Sequence, residues 1–472
     1  MKRHVQVVIL GAGTAGLSAY KEVSNITDDL LLVDPGPLGT TCARVGCMPS
    51  KALLKLARDV EASSRLREGG YVEQDPGTVN GTAILAEVRR LRDRFASGPI
   101  GAVDKLGERY IKARARFLDA NTLDLNGMEV TADAIIVATG SKPIVPASWE
   151  ALGDRLITSD TVFELEHLPR RLAVVGLGAI GTELGQALAM LGVEVHAFGL
   201  EDQIAGLTDP EVNQSALRSL QQHMQIHTGH PVEPELDGDQ VRIRFGNQEI
   251  TVDAVLAAMG RKPVVEDLGL EALGLDLERN GLPQLDPQRL RAGHTTVYFT
   301  GDVNGMVPLM HEAADEGRVA AYHALRPDAE CLSRRTPLAI VFTEPEIARV
   351  GVAYDALPDN ALVGQSDFAK LGRAIIMNDL GGPLRIYAAP DSGRLLGAEM
   401  AVTGAEHLAH QLAWLIQQQV TVTDALLLPY YHPVLEEGIR SALQDLRRKL
   451  PDTSRRPDLP LCGNSDDPLA GI

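Results

Sequence analysis

Aromatic residues are scarce in this chain, and basic residues are outnumbered. Phe, Trp and Tyr make up 4% of 472 residues, too few for the stacked rings on which single-stranded nucleic acid is bound. Lys and Arg number 45 against 63 Asp and Glu, a formal net charge of −18. Phosphate-backbone binding runs on Lys and Arg, so nucleic acid is excluded as a partner. Equally little holds the chain to an anionic membrane surface. No apolar run reaches the roughly 18 residues that span a bilayer. The opening Met1-Lys2-Arg3-His4 leads into VQVVIL, which is too short for a signal-peptide core and lacks a cleavage site. These absences predict a cytoplasmic protein with no membrane insertion. Four cysteines in the whole chain make no disulfide scaffold. In a reducing compartment a close cysteine pair points to redox or metal chemistry rather than to a staple.

What is present is enough apolar residue to bury a core, at 44%, and length for about three domains. Two segments share one pattern. Val5 to Leu10 is a β-branched run followed by GAGTAG, and Leu172 to Val175 is a second, followed by GLGAIG; each then enters a helix-compatible stretch. AIIVATGSKP (134–143) reads as a buried strand ending in a turn, AVLAAMGRKP (254–263) repeats it, and VYFTGD (297–302) is a further strand and turn. Residues 54–112 are rich in Ala, Leu, Arg and Glu, as long helices are. After Arg335 the texture becomes strands with turns and then two helices, an α+β domain; from Pro451 onward Pro, Asp, Ser, Arg and Gly predict a flexible tail.

In a GxGxxG loop the first glycine permits a tight turn, the second lets backbone approach a pyrophosphate, and the third allows close helix–strand packing. The phosphates then meet free N–H groups at the helix N-terminus. Gly11, Gly13 and Gly16 fit this reading because a second strand, LLLVD, ends at Asp34, where a carboxylate can take ribose hydroxyls. Gly176, Gly178 and Gly181 form the second loop. There the position of the selecting acid holds Gly199, with Glu201 two residues on and no arginine nearby for a 2′-phosphate, which leans toward NAD over NADP.

Cys42 and Cys47 lie in TTCARVGCMPSKALL. The pair reads as half a metal site, as two unrelated thiols, or as a redox disulfide. No second pair or nearby histidine completes a zinc cluster, so no metal site is expected. Cys47 precedes a helix start, where a thiolate is favoured, and Lys51 adds positive charge. The disulfide reading fits best.

Gly-x-Thr-Cys-x4-Cys-x-Pro-Ser-Lys after an N-terminal glycine loop resembles the FAD-dependent pyridine nucleotide–disulfide oxidoreductases. The resemblance extends over about residues 4–450 through the ATG strand, the second loop, GRKP, Gly301-Asp302, PLMHEAADEG and VFTEPEIARVG. It implies an α/β fold of two Rossmann-like domains plus a C-terminal α+β dimerisation domain. The boundaries expected are 1–165 and 266–335 for FAD, 166–265 inserted for NAD(P), 336–450 for dimerisation and 451–472 for the tail. Beyond the two glycine loops and Asp34, the cofactor-binding residues expected are Thr41, Lys51, Ala115, Thr139, Gly140, Gly260, Asp302 and Met310. The resemblance also implies that Glu183 pairs with Lys51 near the flavin, and that a Cys47 thiolate makes a charge-transfer contact with it.

Near the end stands YYHPVLEEG, with His432, Pro433 and Glu437. Oxidising a dithiol needs a base to take a thiol proton; histidine has the right intrinsic pKa, and a carboxylate can orient its ring. In the family this histidine crosses a homodimer interface to serve the partner's thiol. The pattern is most similar to dihydrolipoamide-oxidising members using NAD+. Two departures stand out: Thr40 replaces the second glycine of Gly-Gly-Thr-Cys, and Tyr430, Tyr431 and Val434 replace the usual neighbours of the His-Pro motif. Glutathione-type and mercuric or other metal-ion reductases are the alternatives, and a non-catalytic FAD-binding scaffold is the alternative of another class. Cys462 is a lone cysteine where mercuric reductases carry a pair.

Overall fold

The computed structural model describes residues 2–72, 78–378, 381–451 and 458–459. Cys462 and nearly all of the expected tail lie outside the described residues. The chain forms two compact units. The first is Met1–Gly176 with Ala187–Phe198 and His230–Arg334; the second is Leu177–Gln186 with Gly199–Gly229 and Arg335–Ile472.

In the first unit, β1 (Lys2–Leu10) runs parallel between β2 (Leu30–Val33) and the strand Met128–Val137. Val7 faces Leu30 on one side and Ala134 on the other. The second half of β1, Val7–Leu10, and β2 are apolar runs rather than alternating ones because a parallel sheet is covered on both faces, and all four residues of β2 are buried. Met128–Val137 changes partners halfway. Its first half pairs antiparallel with Thr122–Leu125, and its second half pairs in parallel with Val297–Phe299. The helices α1 (Thr14–Ser24) and Met310–Leu325 pack together so closely that a Cβ on Gly317 would lie 2.3 Å from the Ala15 carbonyl oxygen. Val7, Ile9, Ala19, Val23, Leu32 and Ala320 fill the core beneath them, each large side chain contributing roughly 1.5–3 kcal/mol by burial. The short α2 (Thr41–Arg44) is followed by the long helices α3 (Cys47–Glu68) and α4 (Gly81–Asp104), the second capped by the Asn80 side chain. A second parallel sheet places Glu194–Gly199, Arg171–Val175, Ala254–Ala257 and Leu156–Thr158 in that order. An antiparallel meander, 233–252, seals it with Val241, Ile243 and Phe245, the last edge-on to Phe198 at 5.0 Å.

In the second unit five strands form an antiparallel sheet: Leu338–Val341, Glu346–Gly351, Leu395–Val402, Pro383–Ala388 and Leu362–Asp367. Helices Ala405–Gln417 and Glu437–Lys449 contribute Leu408, Leu412, Leu443 and Leu446 to its core. The fully buried Glu399 is tolerated because it is fully engaged. It accepts the N–H groups of Thr208 and Asp209, both at 2.9 Å, that of Tyr354 at 3.2 Å and the Thr208 hydroxyl at 2.5 Å. The chain is thus a mixed α/β protein with one largely parallel sheet that carries an antiparallel edge, a second all-parallel sheet and a separate antiparallel sheet.

His323 is among the buried groups that have no such compensation. It is fully buried in the first unit, and neither ring nitrogen has a hydrogen-bond partner among the described residues. Burial pushes its pKa below the ordinary 6.5; Arg289 and Arg291 push the same way and Asp286 opposes them. The unfolded chain therefore binds this proton more tightly, and stability is lost as pH falls below about 6.5. Replacing His323 by Leu is expected to flatten the acid limb of the thermal midpoint between pH 6.5 and 5, by at most about 1.4 kcal/mol per pH unit. Parallel limbs for the two proteins would contradict this.

Candidate active site

The first glycine loop is shaped by what stands beside it. Gly11 has φ +108°, and a Cβ there would lie 2.3 Å from the Ala138 carbonyl oxygen; a Cβ on Gly16 would lie 1.9 Å from the Gly11 carbonyl oxygen. Gly13, by contrast, faces open space, with nothing within 4 Å of an added Cβ. Gly13 is also the N-cap of α1 and supplies no side-chain cap, so the first N–H groups of the helix are left for another acceptor. Asp34, at the end of β2, accepts the N–H of Ala12 at 2.7 Å and that of Gly36 at 2.6 Å. Its carboxylate is thus fixed beside the loop, each oxygen keeping a further lone pair. Two glycines closed against backbone and one open to solvent are what a pyrophosphate requires, so these residues fit a dinucleotide.

The second loop repeats the design. Gly176 has φ +110°, its Cβ position lying 2.2 Å from the Ala258 carbonyl oxygen, while Gly178 is open. Gly181 is buried within the helix Ala179–Met190. At Gly199 a Cβ would meet the Leu177 side chain at 2.8 Å. The selecting position is therefore crowded by the loop's own leucine, a packing reason for the missing acid.

Thr139, Gly140 and Gly260 sit where the chain crosses between the two parallel sheets. The Thr139 hydroxyl donates to the Val264 carbonyl at 2.8 Å, and Gly140 and Gly260 have φ +73° and +101°. Asp302 accepts the Ser141 hydroxyl at 2.7 Å. Arg261 braces Ser141 from its other side, donating to the hydroxyl at 2.9 Å and to the carbonyl at 2.8 Å, and reaches Asp160 at 2.9 Å. Sequence reading named Asp302 but missed Ser141 and Arg261, although GRKP was visible as a turn. Met310 opens its helix and is half exposed, and Ala115 opens the strand Ala115–Asp119 opposite Leu125.

Cys42 lies in α2 and Cys47 is the first residue of α3. Both are in the thiol form, in hydrogen-bonding contact. The contact with Cys47 and burial push the Cys42 thiol well above its usual range, and Lys51 opposes this weakly. Cys47, by contrast, is exposed at the start of its helix. Lys51, one turn further along α3, reaches the Ser50 hydroxyl at 3.4 Å, and Thr41 is exposed at the start of α2.

Glu183 and the His432–Glu437 pair belong to the second unit. Glu183 is buried and accepts the N–H of Phe342 at 2.8 Å. Nδ1 of His432 lies 3.0 and 3.1 Å from the two carboxylate oxygens of Glu437, whose Oε2 also takes the N–H of Val434 at 3.3 Å. A carboxylate only accepts, so the neutral ring carries its proton on Nδ1 and presents Nε2 as the free base. The bond to His432 holds the Glu437 carboxyl below its ordinary range. The histidine side chain is 79% exposed. An exposed pair of this kind adds little stability, on the order of 0–1 kcal/mol.

Comparisons with known proteins show the family. Residues 5–317 match the pyridine nucleotide-disulphide oxidoreductase family, and residues 338–443 match the dimerisation domain of that family. The chain belongs to the pyridine nucleotide-disulphide oxidoreductases, which bind FAD and NAD(P). A dihydrolipoyl dehydrogenase of Bacillus subtilis is 30% identical over 444 residues, 91% of this chain and 94% of that one. A mercuric reductase of Staphylococcus aureus is 28% identical, over 92% and 81% of the two chains. Among solved structures, LpdA from Mycobacterium tuberculosis superposes with a TM-score of 0.82 at 25% identity, over 93% of this chain and 99% of that one. The flavoprotein disulfide reductase RclA from Escherichia coli, as its Cu(II) complex, gives 0.81 at 21% identity over 94% and 99%, a likeness of fold. The chain is thus an oxidoreductase of the flavoprotein disulfide class, and its dimerisation domain supports a homodimer. No helix among the described residues is long and apolar enough to cross a membrane.

The two kinds of loop glycine separate experimentally. Gly11→Ala collides with backbone and is expected to cost upward of about 3 kcal/mol or prevent folding. Gly13→Ala is expected to leave the thermal midpoint of the FAD-free protein unchanged while lowering bound flavin at least tenfold. Equal flavin content in Gly13→Ala and the parent would contradict the assignment of the open position to the pyrophosphate.

Proposed function

We propose that this enzyme oxidises dihydrolipoamide to lipoamide, with NAD+ as acceptor, through a Cys42–Cys47 redox disulfide in a cytoplasmic homodimer. The observation that carries the dithiol reading is the His432–Glu437 pair, an exposed imidazole held with its Nε2 free. The resemblance to dihydrolipoyl dehydrogenases at 30% identity supports lipoamide as the dithiol. The absence of arginine from 199–209, with Glu201 and Asp202 there instead, supports NAD.

In this reading the oxidised enzyme carries the Cys42–Cys47 disulfide. His432 Nε2 takes a proton from one thiol of the substrate, and Glu437 stabilises the imidazolium. The substrate thiolate attacks Sγ of Cys42, the Cys42–Cys47 bond breaks, and Cys47 leaves as the thiolate. The second substrate thiol then attacks the mixed disulfide. Lipoamide is released and Cys42 regains a proton, in keeping with its raised pKa. Two electrons and two protons have left the substrate. FAD, when bound, carries that electron pair from the dithiol to NAD+. Gly11, Gly13, Gly16, Asp34, Thr41, Ala115, Thr139, Gly140, Asp302 and Met310 would hold it, and Gly176, Gly178, Gly181 and Gly260 the nicotinamide cofactor. Lys51 with Glu183 would neutralise charge beside the reacting ring. The division 1–165 with 266–335, 166–265 and 336–450 is the domain plan that goes with these roles.

His432→Gln is expected to lower dihydrolipoamide turnover by about 100-fold or more, the usual worth of a general base, while NADH still reduces the flavin at the parent rate. Equal losses in both half-reactions would overturn the base assignment. Cys47→Ser is expected to abolish the two-thiol mass shift that alkylation detects after dihydrolipoamide treatment. A shift of unchanged size would remove the pair from the reaction.

A further inference from the structure

The turn that carries Cys42 is built under conflicting demands. Gly39 has φ +115°, with Ala96 and Arg44 carbons each 3.2 Å from where its Cβ would be. At the far end a Cβ on Gly46 would lie 3.1 Å from the Thr41 carbonyl oxygen and 3.2 Å from Cys42 Cα. Between these glycines stands Thr40, with φ 58° and ψ 148°. That conformation is essentially reserved to glycine and is worst for a β-branched side chain. Among the described residues Thr40 is the one β-branched residue with positive φ. Glycine would relieve the strain, so the side chain must supply something glycine lacks.

It supplies a cap. The Thr40 hydroxyl accepts the N–H of Ala43 at 3.2 Å, while its carbonyl takes the N–H of Arg44 at 3.1 Å. The capped segment, α2, is one turn of four residues, far too short to hold its shape by intrinsic propensity. Cys42 is its second residue, and its thiol contacts Cys47 across the 45–46 bend. Whatever fixes α2 therefore fixes the approach of the two sulfurs.

We propose that Thr40 is a positioning residue for the redox pair: its hydroxyl caps the turn bearing Cys42 and so keeps the two sulfurs within bonding reach. This rests on the reading of Cys42 and Cys47 as the redox pair. The strained backbone is the condition under which that hydroxyl reaches Ala43. Loss of the cap loosens α2, lowers the effective concentration of one sulfur at the other, and makes the disulfide easier to reduce.

The test equilibrates the holoenzyme anaerobically, without pyridine nucleotide, against mixtures of oxidised and reduced dithiothreitol. In the forward direction the two protein thiols lose two electrons and two protons to the reagent. The Cys42–Cys47 bond forms while the reagent's disulfide breaks and becomes a dithiol. Alkylation and mass spectrometry count the remaining thiols, and thermal midpoints are measured alongside. Thr40→Val keeps shape and strain without the hydroxyl, Thr40→Ser keeps the hydroxyl, and Thr40→Gly removes both hydroxyl and strain. The equilibrium constant for disulfide formation is expected to fall about threefold to tenfold in Thr40→Val and Thr40→Gly, the usual worth of a cap, and to stay near the parent value in Thr40→Ser. Thr40→Gly is expected to lose this affinity without any fall in thermal midpoint, which a merely structural role would not produce. A parent-like constant in Thr40→Gly and Thr40→Val, or a loss in Thr40→Ser equal to theirs, overturns the inference and leaves the functional reading standing. A parent enzyme that forms no reversible Cys42–Cys47 disulfide overturns that reading, and this inference with it.

Discussion

Two backbone carbonyl oxygens, those of Ala138 and Ala258, stand 2.3 and 2.2 Å from where a Cβ would be on Gly11 and Gly176. No residue but glycine can bring the loop so close to the strand beside it. The approach turns the chain sharply from strand into helix, leaves Gly13 and Gly178 open, and aims the first N–H groups of α1 away from the sheet. Much of the first unit follows from this constraint, which occurs once in each parallel sheet. The apolar runs of β1 and β2, the tight seam of Ala15 against Gly317 and the fixed carboxylate of Asp34 all serve the placement of one open glycine.

The thiol chemistry rests on asymmetry between two like groups. Cys42 is partly buried and its pKa is driven up by the neighbour it touches; Cys47 is exposed at the start of a long helix. His432 shows a second asymmetry, one nitrogen committed to Glu437 and the other with no hydrogen-bond partner among the described residues. Each pair is made unequal by a single neighbour.

The glycine loops, the strands that feed them and the cysteine pair were legible because their chemistry is local. A turn that needs glycine shows it, and a buried parallel strand reads as an unbroken apolar run. The histidine and its carboxylate were legible for the same reason, five residues apart on one loop and helix start. What stayed hidden was held by contacts distant in sequence. Ser141 is an ordinary serine until Asp302 and Arg261 close on it from 161 and 120 residues away. Glu399 read as one strand residue among others, yet it binds a turn 191 residues earlier. Gly199 registered as a missing acid; the reason, Leu177 against it, lies in the glycine loop itself. Thr40 registered as a departure from a glycine pattern, and only the backbone angle and the hydroxyl's partner give the substitution a purpose.

The most direct test of the central claim is an anaerobic titration of the purified enzyme with dihydrolipoamide, followed across the flavin absorbance, with NAD+ added at the end. A long-wavelength band that grows with the dithiol and is reversed by NAD+ is the expected result, since electrons would then pass from dithiol through the cysteine pair and flavin to the nicotinamide. A flavin that NADH reduces but dihydrolipoamide leaves unchanged would contradict the account, and would assign the same cysteine pair to a different acceptor.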